Sequence, residues 1–385
     1  MFIAGLMTAG ALCLTAWLYL LLAHGGFWRV RTALLLPLSF VLGDQGLVAV
    51  VIPARDEADA IGATIKSLLL QSYAGAIQIF LVDDHSSDGT AEAAALATRE
   101  SGRAESVVVI ASQTLPTGWT GKLWAVQQGI ERALKSNPEF LLLTDADIVH
   151  DRENVASLIA LAAQGPFDLT SFMVKLNCRS VAEKLLIPAF VFFFFMLYPP
   201  KWTRDHRRRL AGAAGGCILI RPQALQKSGG IEQIRSQIID DCALAARVKR
   251  TGGRVWLGLT PNTFSVRSYG SVIAIERMIA RTAFNQLKHS AWLLSGAIVG
   301  LALVYLSPLV LLASDKVSLI AIGTLCWLMM ATAYYPMVRF YGLGPLWALT
   351  LPLSAAFYMF ATVHSAVKFW SGHGGEWKGR AQDHP

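Results

Sequence analysis

The chain has 385 residues, of which 54% are hydrophobic and only 16% charged, well below the roughly 25% charged residues of an average soluble domain. That balance argues against a wholly water-solvated fold and for a bilayer replacing part of the solvent. The formal net charge of +8 points to anionic partners, and beside membrane-length apolar runs these are lipid headgroups, with no nucleic acid expected.

The first apolar run covers residues 2–23. It lacks a basic n-region and is followed by Trp28, Arg29 and Arg31, not by a small-residue cleavage site, so residues 1–43 read as an uncleaved anchor and linker. Residues 47–53 (LVAVVIP) then read as a buried strand, 60–71 as a helix, 77–82 (IQIFLV) as a strand and 90–99 as a helix. Strand 107–111, helix 123–134 and strand 140–144 (FLLLT) continue the alternation to about residue 160, the pattern of βαβ units and a parallel sheet. The first strand-to-helix turn reads PARDEADA (residues 53–60), with no GxGxxG, which excludes a dinucleotide-binding start.

Residues 185–198 (LLIPAFVFFFFMLY) are strongly apolar but short for a span. Followed by Arg204 and Arg207-Arg208-Arg209, they read as an interfacial helix docking on anionic lipid, or as a buried core helix ahead of a solvated basic loop. Residues 217–221 read as a strand after Gly215-Gly216, and residues 242–249 as a helix. Runs 291–313, 317–338 and 345–367 are long enough to cross about 30 Å of hydrocarbon, making three transmembrane helices within 291–370 before a short polar tail, 371–385. Arg29, Arg31 and the basic segment before Ala291 place residues 44–290 on the cytoplasmic side, with the N-terminus outward. Three later spans then put the tail outside, although it carries Lys378 and Arg380. The five cysteines show no metal or disulfide spacing and read as reduced thiols.

Three acidic clusters, Asp83-Asp84, Asp145-Ala146-Asp147 and Asp240-Asp241, stand out in this basic chain. Each concentrates like charge that a cation, a proton or a charged substrate relieves. The first two follow apolar strands, and ligands of parallel sheets collect at the carboxyl ends of strands, so both project into one crevice.

VAVVIPARDE (residues 48–57), LVDDHSSDGT (81–90), TGKLWAVQQG (120–129), LTDADI (143–148) and IIDDCAL (238–244) resemble, in order, the motifs of glycosyltransferase family 2, whose members have the GT-A fold, a Rossmann-like mixed α/β sheet. GWTGK (118–122), the membrane runs and WKGR (377–380) are similar to the hopanoid-associated and ceramide-glucosyltransferase-like members, which act on lipids. The resemblance implies an inverting, membrane-bound enzyme at a bacterial cytoplasmic membrane that moves a sugar from a nucleotide-sugar, most simply a UDP-sugar, to a lipid hydroxyl. Same-class alternatives are polyprenyl-phosphate or polysaccharide transfer, and a different class is a catalytically silent membrane scaffold or lipid carrier that retains the fold.

The resemblance also implies roles for individual residues. Asp147 would ligate Mg2+ or Mn2+, and Asp145 would share the metal or bind ribose. Asp84 would accept a hydrogen bond from the base, with Pro53, Asp56 and Glu57 lining the nucleotide. Asp241 would be the catalytic base, Lys122 would meet the donor phosphates or sugar, and Arg281 would stand for the diphosphate-gripping arginine of QxxRW. The glycine pair 215–216 would approach the donor sugar. Plainer readings stand beside these: helix capping for Asp88 and for Asp240-Asp241, an interfacial cation for Arg281, core packing for Trp119 and Trp124, and a tight turn for Gly215-Gly216.

Overall fold

The computed structural model describes residues 2–30, 46–372, 374, 376–377 and 380–381. Arg31 and the rest of the expected linker to residue 45, together with Lys378 and most of the polar tail, lie outside the described residues. The chain divides into a sheet-centred unit (Arg31–Asn177, Trp202–Arg267 and Glu376–Pro385) and a helical unit (Met1–Val30, Cys178–Lys201 and Ser268–Gly375).

The sheet-centred unit is built on strands β1 (Val48–Ala54), β2 (Ile77–Asp83), β3 (Val107–Ala111), β4 (Phe140–Leu143), β5 (Ile148–Val149), β6 (Leu169–Lys175), β7 (Ile218–Ile220) and β8 (Val255–Ser265), ordered β3-β2-β1-β4-β7-β6-β8-β5. β3, β2, β1 and β4 run parallel, while β7 is antiparallel to both β4 and β6, giving a mixed sheet. Side chains alternate across the pleat. Val48, Val50 and Ile52 pack with Ile61, Ile65 and Leu68 of the helix Ala58–Leu69, whereas Ala49 and Val51 pack with Leu123, Val126 and Ile130 of the helix Gly121–Leu134. Gly129 allows the latter helix its close approach, because a Cβ there would stand 2.5 Å from Val51 Cγ1. The strand order reverses between β1 and β4, and such a switch point opens a crevice at the strand carboxyl ends.

Among the described residues of the chain, five helices are long and apolar enough to cross a membrane: Ile3–Leu22, Val181–Arg204, Ala291–Leu312, Val317–Phe340 and Pro345–Trp370. Four match the sequence runs. The fifth extends the short 185–198 segment, because Glu183, which breaks the apolar run, is spent on a capping box with Ser180 and on Ser268 and Tyr269, so the helix starts at Val181. It is the most enclosed of the five, with Phe192 against Phe27 and Tyr334, and Phe193 against Tyr305 and Tyr358. The helical unit also claims residues 268–290, which the sequence assigns to the soluble domain. Helix Val272–Ala280 is tied to Leu351–Trp370 by His364 Nδ1 and Glu276 Oε1 at 2.6 Å, and the Phe284 amide donates to Ser365 Oγ. The five cysteines are free thiols.

Candidate active site

The ends of β1 and β2 build one wall. Asp84, only 1% exposed, extends the ladder by donating its amide to Ala54 O at 2.8 Å. Arg55 Nη1 donates to its carbonyl at 2.7 Å and lies 3.5 Å from its Oδ2. Asp83 accepts from Ser86. Asp56 sits at φ 50, a left-handed conformation that aspartate tolerates, and clips the two loops by accepting from the Ser87 amide at 2.9 Å. Asp88 ties two helix N-termini, accepting from the amides of Ala58 (2.9 Å) and Thr90 (3.0 Å). Desolvation pushes the Asp88 carboxyl up, but these bonds and the Thr90 hydroxyl outweigh it and hold it below its ordinary value. The capping role expected of Asp88 is what the structure shows, with a second helix added.

Asp147, 8% exposed, lies just after β4. β8 pairs with β5, Ser265 opposite Ile148, and so carries two unexpected partners to it. Ser265 Oγ donates to Asp147 Oδ2 at 2.7 Å, and Arg267 Nε donates to the same oxygen at 3.0 Å. The Arg267 fork reaches on to Glu57 Oε1 at 2.5 Å.

A second cation serves the other carboxylates. Thr120 caps the helix Gly121–Leu134, accepting from the Leu123 amide, which places Lys122 in its first turn. A lysine there opposes the helix dipole, yet its Nζ stands 3.0 Å from Asp145 Oδ1 and 3.2 Å from Asp240 Oδ2. Burial works against its charge, but Asp145 and Asp240 outweigh that and hold the ammonium far above its ordinary value. Asp240 and Asp241 open the helix Asp240–Arg250, whose cap residue is Ile239, so neither is an N-cap. Asp241 Oδ2 accepts from the Gly215 amide at 2.8 Å and Oδ1 from the Cys242 amide at 2.7 Å. Burial pushes the Asp241 carboxyl up, and the Asp240 charge adds to this. Lys122 and the two amides pull it back, leaving it at about 6.

Lys122, Asp145, Asp240 and Asp241 line one cleft with Pro53, Leu143 and Thr144, and Asp84 and Asp147 lie outside that lining. Gly215 is its floor: a Cβ there would meet Asp241 Oδ2 and Lys122 Nζ at 3.5 Å and Asp145 Oδ2 at 3.7 Å, ordinary contact distances. Gly215→Ala therefore folds with an unchanged Tm but fills the space between Asp241 and Lys122. A loss in kcat/KM of about tenfold or more is expected, and full activity would show that no reactant sits there.

Behind the cleft runs a buried polar chain. Thr144 Oγ1 donates to Gly216 O at 2.7 Å and contacts His150 Nε2 at 3.0 Å. Asn154 Nδ2 faces His150 Nδ1 at 3.0 Å, while its Oδ1 accepts from Thr263 Oγ1 at 2.9 Å. Because the Thr144 proton is already spent, His150 donates from Nε2 and accepts at Nδ1. Burial holds it neutral, its pKa pushed down to about 3. The network joins the end of β4 to the glycine pair, and with Arg55 and Arg267 it is the part the acidic motifs do not announce.

The donor set can be tested against a divalent cation. Among the described residues no three His, Cys, Asp or Glu side chains form a ready cage. Asp147 Oδ1 stays outside the contacts of Oδ2. Mg2+ and Mn2+ suit one or two carboxylates with phosphate and water completing the shell. The residues fit a cation that arrives with a diphosphate. Arg281 belongs to the helical unit, exposed at the end of helix Val272–Ala280.

Residues 49–229 match the model of glycosyl transferase family 2. No curated protein matches the chain. Among solved structures, the mannosyltransferase PcManGT from Pyrobaculum calidifontis, in complex with GDP-Man and Mn2+, aligns at a TM-score of 0.54 and 17% identity over 96% of this chain and 97% of that one. S. aureus TarS with UDP-GlcNAc aligns at 0.39 and 14%, over 86% and 95%. Glucosyl-3-phosphoglycerate synthase from Mycobacterium tuberculosis, with phosphoglyceric acid, aligns at 0.37 and 13%, over 63% and 80%. The first likeness supports the fold, the family match covers β1 to β7, and Asp241 lies just beyond it. Residues 49–229 are thus a glycosyltransferase family 2 domain, within the GT-A fold, and mark the chain as a glycosyltransferase.

Proposed function

We propose that the protein is a membrane-bound inverting glycosyltransferase that moves a sugar from a nucleotide-sugar, most simply a UDP-sugar, to the hydroxyl of a lipid, a hopanoid by motif resemblance. One observation carries the reading: Asp241, a carboxylate with a raised pKa, faces the same cleft as Lys122 and Asp145 at the sheet's switch point. In a direct displacement Asp241 accepts the acceptor hydroxyl's proton as that oxygen attacks the anomeric carbon, and the bond to the diphosphate breaks. Asp147, with Asp145 sharing the ion or holding ribose, would hold a Mg2+ or Mn2+ arriving with the donor, and that ion would supply Lewis-acid neutralisation of the leaving charge. Asp84, with Pro53, Asp56 and Glu57, holds the nucleotide on the β1 and β2 side. Arg281 acts as a cation of the helical unit, for the diphosphate or the interface.

The lipid acceptor is supported by apolar surface. Leu22, Trp292, Val317 and Leu346 are exposed on helices of membrane length, more apolar surface than water tolerates. Helix Val181–Arg204 has the length of a span, but the chain leaves the sheet-centred unit at Asn177 and re-enters it at Trp202, and β7 beyond pairs with β6 before it. A full crossing would put one sheet on two sides of the bilayer, so this helix lies in the interface on a single face, which the positive-inside pattern makes the cytoplasmic one. Arg204 ends it and Arg207, Arg208 and Arg209 follow, all exposed, and they suit anionic headgroups. Purified full-length protein is expected to release UDP from UDP-sugar, or transfer the sugar to extracted lipid, only with Mg2+ or Mn2+. Undiminished turnover in excess EDTA would remove the metal from the scheme. Lipid extracts from cells with and without the protein should differ by one glycolipid.

A further inference from the structure

Four carboxylates of the site are held before any ligand binds by two internal cations, each bridging a pair from distant parts of the chain. Lys122 spans Asp145 and Asp240. Arg267 spans Asp147 and Glu57, and the carboxylate oxygen it takes on Asp147 also accepts from Ser265, whose hydroxyl oxygen in turn accepts the Arg267 amide. The guanidinium is thus seated by its own backbone as well as by its fork.

From this geometry we infer that Arg267 is a resident counter-ion of the metal position, holding Asp147 in the donor-free protein and opposing a free divalent cation there. The inference rests on the proposed role of Asp147 in metal binding. A dication approaching Asp147 alone meets a fixed positive charge within hydrogen-bonding distance of the carboxylate it needs. A dication accompanied by a diphosphate brings more negative charge than it carries, and the same guanidinium, freed from Asp147 or Glu57, is then a donor fork matched to phosphate oxygens. Arg267 therefore orders the assembly, with cation and nucleotide entering together and the cation alone excluded. This role is one of positioning and selection, separate from proton transfer at Asp241.

The test measures Mn2+ binding to the full-length detergent-solubilised protein by electron paramagnetic resonance of the free ion, without nucleotide and with UDP, GDP being run in parallel. The unsubstituted protein should bind Mn2+ weakly alone and tightly with nucleotide. Arg267→Gln should bind Mn2+ alone about tenfold tighter or more, and the double variant with Asp147→Asn should lose that gain. Arg267→Lys, which keeps the charge but cannot fork between two carboxylates, should gain less, and as the milder change it keeps the comparison available if Arg267→Gln unfolds. No gain in either variant overturns the inference, as does a gain that survives Asp147→Asn. If nucleotide-dependent Mn2+ binding is still lost in Asp147→Asn alone, the metal role of Asp147 outlives that failure. If it is kept, both fall.

Discussion

Asp241→Asn is expected to lower transfer by about 10³-fold while donor binding changes by less than about threefold, measured by turnover with a UDP-sugar and by titration with UDP. Asparagine keeps the shape and an oxygen for the Cys242 amide, but it cannot accept the proton that the attacking hydroxyl must lose. The same residue sets the acid side of the pH profile. With its carboxyl pushed up to about 6 by burial and by Asp240, Asp241 is protonated and inactive below that value and competent above it, so transfer should rise through about pH 6 and the variant's residual rate should not. Stability moves the other way. A carboxyl whose folded pKa lies above the ordinary 3.8 favours folding most where it is protonated, and that contribution is lost as pH rises through about 6. The Tm of the unsubstituted protein relative to Asp241→Asn should therefore fall between pH 4 and 6. An unaffected Asp241→Asn turnover would remove the base from the mechanism.

The sheet was legible where strands are buried on both faces. LVAVVIP, IQIFLV and FLLLT read as continuous apolar runs because parallel strands covered by helices have no polar face, and β1, β2 and β4 are those runs. β5 has two residues, too short to carry a period, whereas β7 falls inside the run 217–221 that reads as a strand after the glycine pair. β8 runs through Gly258, Pro261 and Asn262, which punctuate a sequence like a loop, yet it pairs with β6 and β5. The acidic half of the site was legible because Asp84, Asp145 and Asp147 sit directly after readable strands. Of the cationic half only Lys122 was, through its motif. Arg267 reaches Asp147 only through the pairing of Ile148 with Ser265, a contact across more than a hundred residues that no local pattern encodes. Arg55 is hidden in plain view within PARDE, since nothing local shows that its fork turns back onto Asp84. The helix of the 185–198 segment begins four residues before its apolar run, at Val181, because the Glu183 carboxylate caps the helix it belongs to.

Lys122→Met tests whether the lysine does more than hold three aspartates apart. The substitution keeps the length and packing of the stem and removes the charge that bridges Asp145 and Asp240 at 3.0 and 3.2 Å. A loss of about 10²-fold in kcat/KM at neutral pH is expected, the scale of removing one preorganised charge from an enclosed site. Its sign on the pH profile is the sharper result. Lys122 is the positive group that pulls Asp241 down against burial and Asp240, so without it the Asp241 carboxyl rises further and the acid limb moves to higher pH, widening the loss near neutrality and narrowing it in alkali. Lys122→Arg restores the charge and should return the limb towards its original position, even if the bulkier fork leaves turnover below that of the unsubstituted protein. A merely structural lysine would lower activity evenly at every pH and gain nothing from arginine, and that outcome would detach Lys122 from the base while leaving Asp241 in place.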